Sequence, residues 1–434
     1  MIMRLVKPRR VVRRNRFALV ASLAIFAAGA AATSSCSRSN SHAPHTEAVA
    51  PAPAPTESEI RDLDIAFYRE RSERDPSGAT DLAHLASLYL QRSRDTGDPR
   101  DVLRAEESAR RSLANRASRN DAAAQVLASS LLAQHRFTEA LVVARGVRDR
   151  NPDSAPLRAA VAEINMELGQ YDSARVQFSA VSDMPGARDN LSVAPRLARW
   201  AEIEGRPDEA RRLMRHLLAL ARRQQSLPRE QVAWFWLRVG DIDMRADNLV
   251  AADSAYRSAL ATHPGDYRVL AALCRLASER KQWSDAIRYG DEAIAVNLDP
   301  ATLGLLSDAY AAIGDTARSH EYAHVLDVAV HQQPGAYHRA WSLFLLDHGR
   351  NLATVNRKIR EELRTRHDVY AYDLLAWSLH KQGRNREAER AMRMALREGT
   401  KDPLLQRHAA DIANAVASAA ARNAGRGGNR RDGR

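Results

Sequence analysis

The sequence has little of several residue types on which common protein classes depend. Of its 434 residues 6% are aromatic, and only two are cysteines, Cys36 and Cys274. One follows an N-terminal apolar run and the other lies inside a helical pattern, so we expect no disulfide within the chain. The sequence also has no Gly-rich phosphate loop, no serine nucleophile elbow and no paired-cysteine metal motif. It therefore lacks the usual signatures of nucleotide-binding proteins, serine hydrolases and zinc ribbons.

Outside its two ends the chain has almost no excess of positive charge. The formal net charge is +12, of which residues 4–16 carry seven and residues 422–434 carry four, which leaves about +1 for the rest. Charges of both signs alternate there, as on a solvated helical surface, and we predict no nucleic-acid binding. The tail at 422–434 contains Gly425-Arg426-Gly427-Gly428, which resembles an RNA-binding segment. We interpret this tail as disordered and solvated, with contact to anionic lipid or lipopolysaccharide phosphates as the alternative.

The N-terminus carries a long uncharged run, the sixteen residues from Phe17 to Ala32. It follows a basic region, is short for a membrane span and is typical of an export signal. Thr33-Ser34-Ser35-Cys36 then resembles a bacterial lipoprotein cleavage box, although its first residue stands where Leu is usual. Residues 1–36 are therefore predicted to be a signal peptide with Cys36 as the lipid acceptor. Two alternatives stay open: ordinary cleavage within residues 27–32, which leaves Cys36 free, and an uncleaved signal anchor.

A linker rich in Ser, Ala and Pro follows at residues 37–56. It includes an Ala-Pro-Ala-Pro-Ala-Pro stretch, which forms a semi-rigid spacer able to hold a domain away from a membrane. We therefore expect an exported protein that is periplasmic or anchored to a membrane as a lipoprotein, with a secreted protein as the alternative.

From Ala79 to Asp402 one pattern recurs about every 34 residues. In one copy Trp236 is followed by Gly240 and later by Tyr256. Within each copy the apolar residues fall at i, i+3, i+4 and i+7 in two blocks, which is the periodicity of a helix. A short polar turn separates the blocks and often contains glycine, which supplies the left-handed residue that ends a helix. A fixed period of this length predicts a stack of helix pairs.

Small residues recur where the two helices of a pair would cross. Several second helices open with an alanine, and a side chain larger than a methyl group there would push the helix axes apart. The first helices carry small residues opposite these alanines, and a bulky residue four positions later fills the seam. The alanines are Ala140, Ala174, Ala210, Ala252, Ala286 and Ala388.

This pattern resembles the tetratricopeptide repeat family, whose signature is a Trp or Leu, a Leu-Gly/Ala pair and a Tyr, then Ala, Phe, Ala and Pro at these spacings. The resemblance covers roughly three quarters of the chain. It implies an all-α fold, a right-handed α-α superhelix of about nine helix hairpins at residues 79–402, with capping helices at 57–78 and 403–421. The copies start near Ala79, Asp121, Ala155, Leu191, Ala233, Tyr267, Pro300, Gly335 and Val369.

The copies near Ala79, Leu191 and Gly335 depart most from the pattern. The first is expected to have a long inter-helix loop through Asp95–Pro99. The copy near Gly335 has Thr354 and Lys358 where a small and a bulky residue belong. These departures leave the boundaries of the three copies open and do not change the expected fold.

The resemblance also implies a non-enzymatic scaffold or adaptor that binds a protein or peptide and needs no cofactor. The alternative is a self-assembling secretion or envelope-assembly scaffold. In this family the first helix of each pair lines a concave groove, and helical geometry selects twelve residues that should project there. For each of them the alternative is packing against the neighbouring repeat. The apolar candidates are Trp234, Leu237, Met244, Leu343, Tyr370 and Trp377, and the charged ones are Asp241, Arg268, Arg275, Asp308, Arg339 and Asp373.

One catalytic motif is present. His320-Glu321-Tyr322-Ala323-His324 matches HExxH, in which two histidines on one helical face bind zinc and the glutamate polarises a water. Glu361 and Glu362 lie at a plausible distance for a third ligand, but the aspartate expected four residues later is absent. The repeat register turns Ala323 towards the partner helix and both histidines outward. We therefore interpret the motif as helix surface, with a zinc metallopeptidase as the less favoured alternative.

Overall fold

The structure, a computed structural model, describes residues 55–331 and 339–428. These two ranges contain twenty α-helices and no β-strand. Cys36, the export segment and most of the linker lie outside the described residues. The helices are α1 (Glu57–Arg74), α2 (Ala79–Thr96), α3 (Pro99–Asn115), α4 (Asp121–Ala133), α5 (Phe137–Arg150), α6 (Ala155–Glu167), α7 (Tyr171–Ser182), α8 (Ala194–Ile203), α9 (Pro207–Arg223), α10 (Arg229–Arg245), α11 (Leu249–Thr262), α12 (Tyr267–Glu279), α13 (Trp283–Ile294), α14 (Pro300–Ala312), α15 (Thr316–His331), α16 (Arg339–Asp347), α17 (Leu352–Glu362), α18 (Val369–Lys381), α19 (Asn385–Ala395) and α20 (Pro403–Gly428).

From α2 to α19 the helices pack as nine consecutive hairpins, each with an even-numbered first helix and an odd-numbered second helix. Every hairpin contacts the next, and α1 and α20 pack against the two ends of the stack. The predicted all-α solenoid of about nine helix hairpins is therefore confirmed. Six of the predicted starts coincide with the first residue of a helix, whereas α8 begins at Ala194 and α10 at Arg229. The predicted start near Gly335 lies outside the described residues.

Two further boundaries differ from the sequence prediction. The expected long loop through Asp95–Pro99 is wrong, because only Gly97 and Asp98 connect α2 with α3. Gly97 ends α2 in the left-handed conformation with φ of 67°, and the Asp98 side chain accepts a hydrogen bond from the start of α3. The tail predicted to be disordered from residue 422 is helical at first, since α20 continues to Gly428.

Helix α17 shows how the irregular copy near Gly335 adapts. Its buried apolar residues are Val355 and Ile359, each one position later than Thr354 and Lys358. A one-residue shift rotates a helix by about 100° about its axis. The hairpin therefore presents apolar residues to its neighbours despite the departure from the repeat pattern.

The crossing point within a hairpin has no room for an additional carbon atom. At the crossing of α10 and α11 the first helix carries Gly240, and a Cβ there would lie 2.5 Å from Cε1 of Tyr256. The Tyr256 ring is fully buried and fills the seam, so this glycine is a packing requirement. The second-helix alanines predicted for such crossings are all fully buried: Ala140, Ala174, Ala210, Ala252, Ala286 and Ala388.

Hairpins far apart along the chain also contact each other. The backbone N–H of His367 donates to the carbonyl of Leu168 at 3.0 Å. The N–H of Val369 donates to the Tyr171 hydroxyl at 2.7 Å, between residues 198 positions apart. The solenoid thus coils until its C-terminal hairpins contact α6 and α7. We call this the turn contact, formed by Leu168, Gly169 and Tyr171 with His367, Val369 and Arg397, whose guanidinium donates to the Gly169 carbonyl.

The N-terminal helices also lie close to hairpins that are distant in the sequence. The Arg229 N–H donates to the Glu57 carboxylate at 3.3 Å, and His263 Nε2 lies 3.8 Å from Asp95 Oδ1. The first helices therefore lie beside the ends of hairpins that follow much later in the chain. Among the described helices none combines the length and apolar character that crossing a membrane requires.

We expect Gly240→Ala to destabilise the protein by about 1–3 kcal/mol, because the new methyl group must displace the Tyr256 ring from a packed seam. Gly146→Ala in α5 is the matched control. A Cβ there has only the flexible end of Arg150 within 4 Å, at 3.8 Å. Since alanine favours a helix interior over glycine, the control should gain about 0.5–1 kcal/mol. Thermal unfolding followed by circular dichroism measures the stability of both variants. Equal melting temperatures for Gly240→Ala and Gly146→Ala would contradict the packing explanation.

Candidate functional site

Arginine–carboxylate pairs join the first helices of adjacent hairpins. Arg199 of α8 lies 3.0 Å from Glu167 of α6, and Arg275 of α12 lies 2.8 Å from Asp241 of α10. Glu202 of α8 accepts from Arg245 at 3.0 Å. Each carboxylate therefore holds an arginine of the next hairpin. We call the nine residues that make these pairs the inner ladder: Glu163, Glu167, Arg196, Arg199, Glu202, Arg238, Asp241, Arg245 and Arg275.

Three residues of the inner ladder, Arg199, Glu202 and Arg245, face α18 across a partly open space. Tyr370 of α18 lies against the ladder, with its ring centroid 5.9 Å from Cζ of Arg199. Burial raises the pKa of Tyr370, and Arg199, Arg245 and Glu202 are all close enough to influence it. Helices α8, α10 and α18 thus face one another across a space that we call the lumen. A cavity of about 400 Å³ opens from it between Glu202, Arg245, Tyr370 and Asp402.

Asp241 is the most connected carboxylate of the ladder. It accepts hydrogen bonds from the Tyr256 hydroxyl at 3.0 Å, from Arg275 at 2.8 Å and from Arg238 at 3.1 Å. Burial alone would raise the pKa of Asp241, but Arg275, Arg238 and Arg245 outweigh it, and the pKa is lowered. The carboxylate is therefore ionised, and it orients two arginines of the inner ladder and the buried Tyr256 hydroxyl.

Arg275 is the ladder residue most open to a ligand. Its side chain is 47% exposed even though Asp241 and Tyr256 hold one edge of the guanidinium. Burial opposes the charged form, but Asp241 and Tyr256 outweigh it and raise the pKa of Arg275. The charge is thus permanent, partly desolvated and held in position. A guanidinium in this state can donate to a carboxylate or carbonyl of a bound molecule.

Some of the predicted groove residues are partly exposed, and others form contacts within the protein. Trp234, Met244, Leu343 and Tyr370 are half-buried and keep part of their apolar surface accessible. Asp308 is exposed and pairs with His348 at 3.0 Å. Arg268 binds Asp266 and Glu230, and Arg339 binds Asp373, so both are engaged within the protein.

The prediction that Trp377, Asp373 and Leu237 lie open in the groove is wrong. Trp377 is 7% exposed, because His408 of α20 stacks on its ring with centroids 4.0 Å apart. Asp373 is fully buried and binds His408 Nδ1 at 2.7 Å. Leu237 is buried in the core between α10 and its neighbours. The terminal helix α20 thus covers the inner face of α18, a surface that the sequence analysis left open.

Sequence reasoning missed Glu167, Arg199, Glu202 and Arg245. A signal for them exists in the sequence, because the paired charges of the ladder stand about one repeat apart on successive first helices. Glu167 and Arg199, for example, are separated by 32 positions. Aligning the charged residues in the repeat register would have revealed the pairs. The alignment would not have revealed that Tyr370 lies near Arg199, since that contact depends on the coiling of the solenoid.

The HExxH residues lie where the register placed them. His320, Glu321 and His324 are exposed on α15, and Ala323 is buried against its partner helix. Within residues 55–331 and 339–428, no group of three or more His, Cys, Asp or Glu side chains could hold a metal ion. Cys274 is fully buried as predicted, and burial raises the pKa of its thiol to about 12.

Comparison with known proteins supports the fold. A family profile for the tetratricopeptide repeat matches residues 131–184. No curated protein matches the chain in sequence. The solved structure of the APC/C hetero-tetramer Cut9–Hcn1 is similar, with a TM-score of 0.50 and 16% identity over 82% of this chain and 59% of that one. The chain thus spans less than two thirds of that protein.

Two further solved structures are similar at lower scores. The human IFIT1 dimer with m7Gppp-AAAA has a TM-score of 0.49 and 14% identity over 78% of this chain and 77% of that one. PilW, described as a widely conserved type IV pilus biogenesis factor, has a TM-score of 0.41 and 17% identity over 52% of this chain and 99% of that one. The fold of the chain is that of a tetratricopeptide-type solenoid.

Glu362 lies near the turn contact in a partly buried position at the end of α17. Burial raises its pKa to about 7, Arg366 and Lys358 oppose that rise, and Asp368 adds to it. In an unfolded chain a glutamate titrates near 4.3. The folded state therefore binds this proton more tightly, and the free energy of unfolding falls as the pH rises from about 4.3 to about 7.

We expect Glu362→Gln to remove this dependence, because the amide keeps the shape of the protonated carboxyl group and has no charge to bury. The loss of stability between pH 5 and pH 8 should become smaller than in the unsubstituted protein. Urea unfolding at several pH values measures the difference. Glu387→Gln is the control, since the Glu387 side chain is 40% exposed and the hydrogen bond from Arg384 lowers its pKa. A pH dependence unaffected by Glu362→Gln would contradict the assignment.

Proposed function

We propose that the chain is a non-enzymatic scaffold of the bacterial cell envelope that binds another protein or a peptide in its lumen. The observation that carries this proposal is the half-exposed guanidinium of Arg275 on the inner ladder, together with half-buried apolar side chains on the first helices α10 and α18. Trp234, Met244 and Tyr370 supply the apolar surface. Aromatic residues, methionine and arginine are the types most enriched at the centres of protein interfaces.

The rigidity of the lumen favours binding. Arg238, Arg245 and Arg275 are already held by Glu202 and Asp241, so little side-chain freedom remains to be lost when a ligand arrives. Tyr370 and Arg199 approach each other across the lumen and limit its width. An extended peptide segment fits this space better than a folded domain does.

The same pairs argue against catalysis in the lumen. A general acid or base needs a pKa near the working pH. Arginines lower the pKa of Asp241, which keeps it ionised. The ladder therefore suits recognition of polar groups on a ligand and does not suit proton transfer.

Placement in the envelope rests on the N-terminal sequence. The basic region, the run from Phe17 to Ala32 and the box ending at Cys36 support export followed by acylation. A lipid on Cys36 together with an added acyl group would give stable attachment, since each buried methylene contributes roughly 0.8 kcal/mol.

Photo-crosslinking in the native host tests the binding site. A photoreactive phenylalanine derivative replaces the half-buried Met244 of α10 or, as a matched control, the exposed His324 of α15. We expect discrete adducts of defined mass from position 244 and none of these from position 324. Adding Arg275→Glu should reduce the adducts at 244 about tenfold, which corresponds to about 1.4 kcal/mol of binding energy. Equal adducts from both positions, or adducts insensitive to Arg275→Glu, would count against the lumen.

Fractionation of a Cys36→Ser variant tests the attachment. We expect the variant to leave the membrane fraction or to remain as the unprocessed precursor, because the acyl acceptor is gone. Ser35→Ala, next to the acceptor, is the control and should fractionate like the unsubstituted chain. If Cys36→Ser fractionates and migrates like the unsubstituted chain, Cys36 is a bystander and the protein is periplasmic or secreted.

A further inference from the structure

Helix α1 presents an apolar stripe to solvent. Ile60, Leu63 and Phe67 are 47%, 66% and 52% exposed. Their spacing of three and four positions places them in one line along the helix. The other face of α1 packs on the solenoid, where Ile65 is buried and Arg61 forms an ion pair with α2. We call Ile60, Leu63 and Phe67 the α1 stripe.

The start of α1 is fixed by a capping box. The Glu59 N–H donates to the Thr56 hydroxyl at 3.2 Å, and the Thr56 N–H donates to the Glu59 carboxylate at 2.8 Å. These bonds begin the helix at Glu57, immediately after the Pro-rich linker. The stripe therefore lies on the first helix that follows the linker, and the orientation of this helix is set by its packing on α2.

The stripe is too small to hold a second protein by itself. Three side chains that are about half exposed present on the order of 300 Å² of apolar surface. A specific protein–protein interface buries about 800 Å² on each partner. A small apolar contact becomes effective when a tether keeps both surfaces together, because the second contact is then intramolecular.

We propose that the α1 stripe contacts the lipid bilayer to which the N-terminus of the chain is attached. This proposal rests on the membrane attachment proposed above. Helix α1 is the helix nearest to the anchor along the chain. The linker that joins them, residues 37–56, spans about 60 Å at roughly 3 Å per residue. Phe and Leu side chains on one helical face bury in the boundary between lipid headgroups and acyl chains.

Two arginines extend the stripe towards the C-terminus of α1. Arg71 and Arg74 follow Phe67 at helical spacing, and their side chains are 54% and 75% exposed. Their guanidinium groups can exchange the partly buried Asp81 carboxylate and the exposed Glu70 carboxylate for lipid phosphates as the apolar residues insert. The contact would hold the first hairpin close to the bilayer, so that the solenoid projects from the membrane in a defined orientation.

Site-specific labelling of the full chain tests the contact. Cys274 is buried with a raised thiol pKa, so a new surface cysteine can be labelled selectively, and the unsubstituted chain reports any labelling of Cys36. Leu63→Cys carries an environment-sensitive dye on the stripe. Val142→Cys in α5 is the control, because Val142 is 70% exposed on a different helix. Both are isolated from membranes and reconstituted into vesicles of phosphatidylethanolamine and phosphatidylglycerol that contain brominated lipid.

We expect brominated lipid to quench the dye at position 63 at least threefold and to leave position 142 unchanged. Adding Ile60→Ser and Phe67→Ser to Leu63→Cys should abolish the quenching, while these changes leave the packed face of α1 intact. Co-flotation with vesicles without quenching at position 63 would overturn the stripe contact and leave the attachment standing. Failure to co-float would overturn both. A concentration-dependent blue shift without vesicles would mean that a second copy covers the stripe, and would also overturn the proposal.

Discussion

Hydrogen bonds between α6–α7 and the start of α18 set the pitch of the coil. In a repeat protein most contacts join neighbouring units, so small changes in the angle between hairpins accumulate along the stack. The turn contact removes this freedom, because the N–H groups of His367 and Val369 bond to acceptors on Leu168 and Tyr171, far away in the sequence. Tyr370 follows Val369 at the start of α18, so the same contact helps to place its ring near Arg199.

Backbone-to-backbone approach of this kind needs residues without side chains. Gly169 has φ of 74°, and a Cβ on it would lie 2.2 Å from the His367 carbonyl carbon. At the next crossing between turns, a Cβ on Gly205 would lie 2.1 Å from the Gly399 carbonyl oxygen. These glycines end helices within their own hairpins, as the sequence indicates, and they also let two turns of the coil meet. The second role follows from the coiling and has no signal within a single repeat.

The sequence accounts for the hairpins better than for the lumen. Ala140, Ala252 and the other crossing alanines could be assigned because a helix crossing restricts side-chain size at a fixed repeat position. Trp377 was misassigned because its exposure depends on α20, which folds back over α18 and lies outside the repeat pattern. The pairing of charges such as Glu202 with Arg245 depends on the distance between first helices. That distance follows from superhelical geometry, which the period of the sequence does not specify.

The turn contact has a consequence for the rates at which the proposed ligand would bind. The proposed ligand would reach the cavity beside Arg199 and Tyr370 along the axis of the coil or through an opening of the turn contact. Opening breaks several hydrogen bonds together, so it is a slow, cooperative event compared with diffusion. Association and release would then both be limited by the protein. A complex formed in this way could persist far longer than its equilibrium affinity suggests, because the opening rate of the turn contact would limit its dissociation.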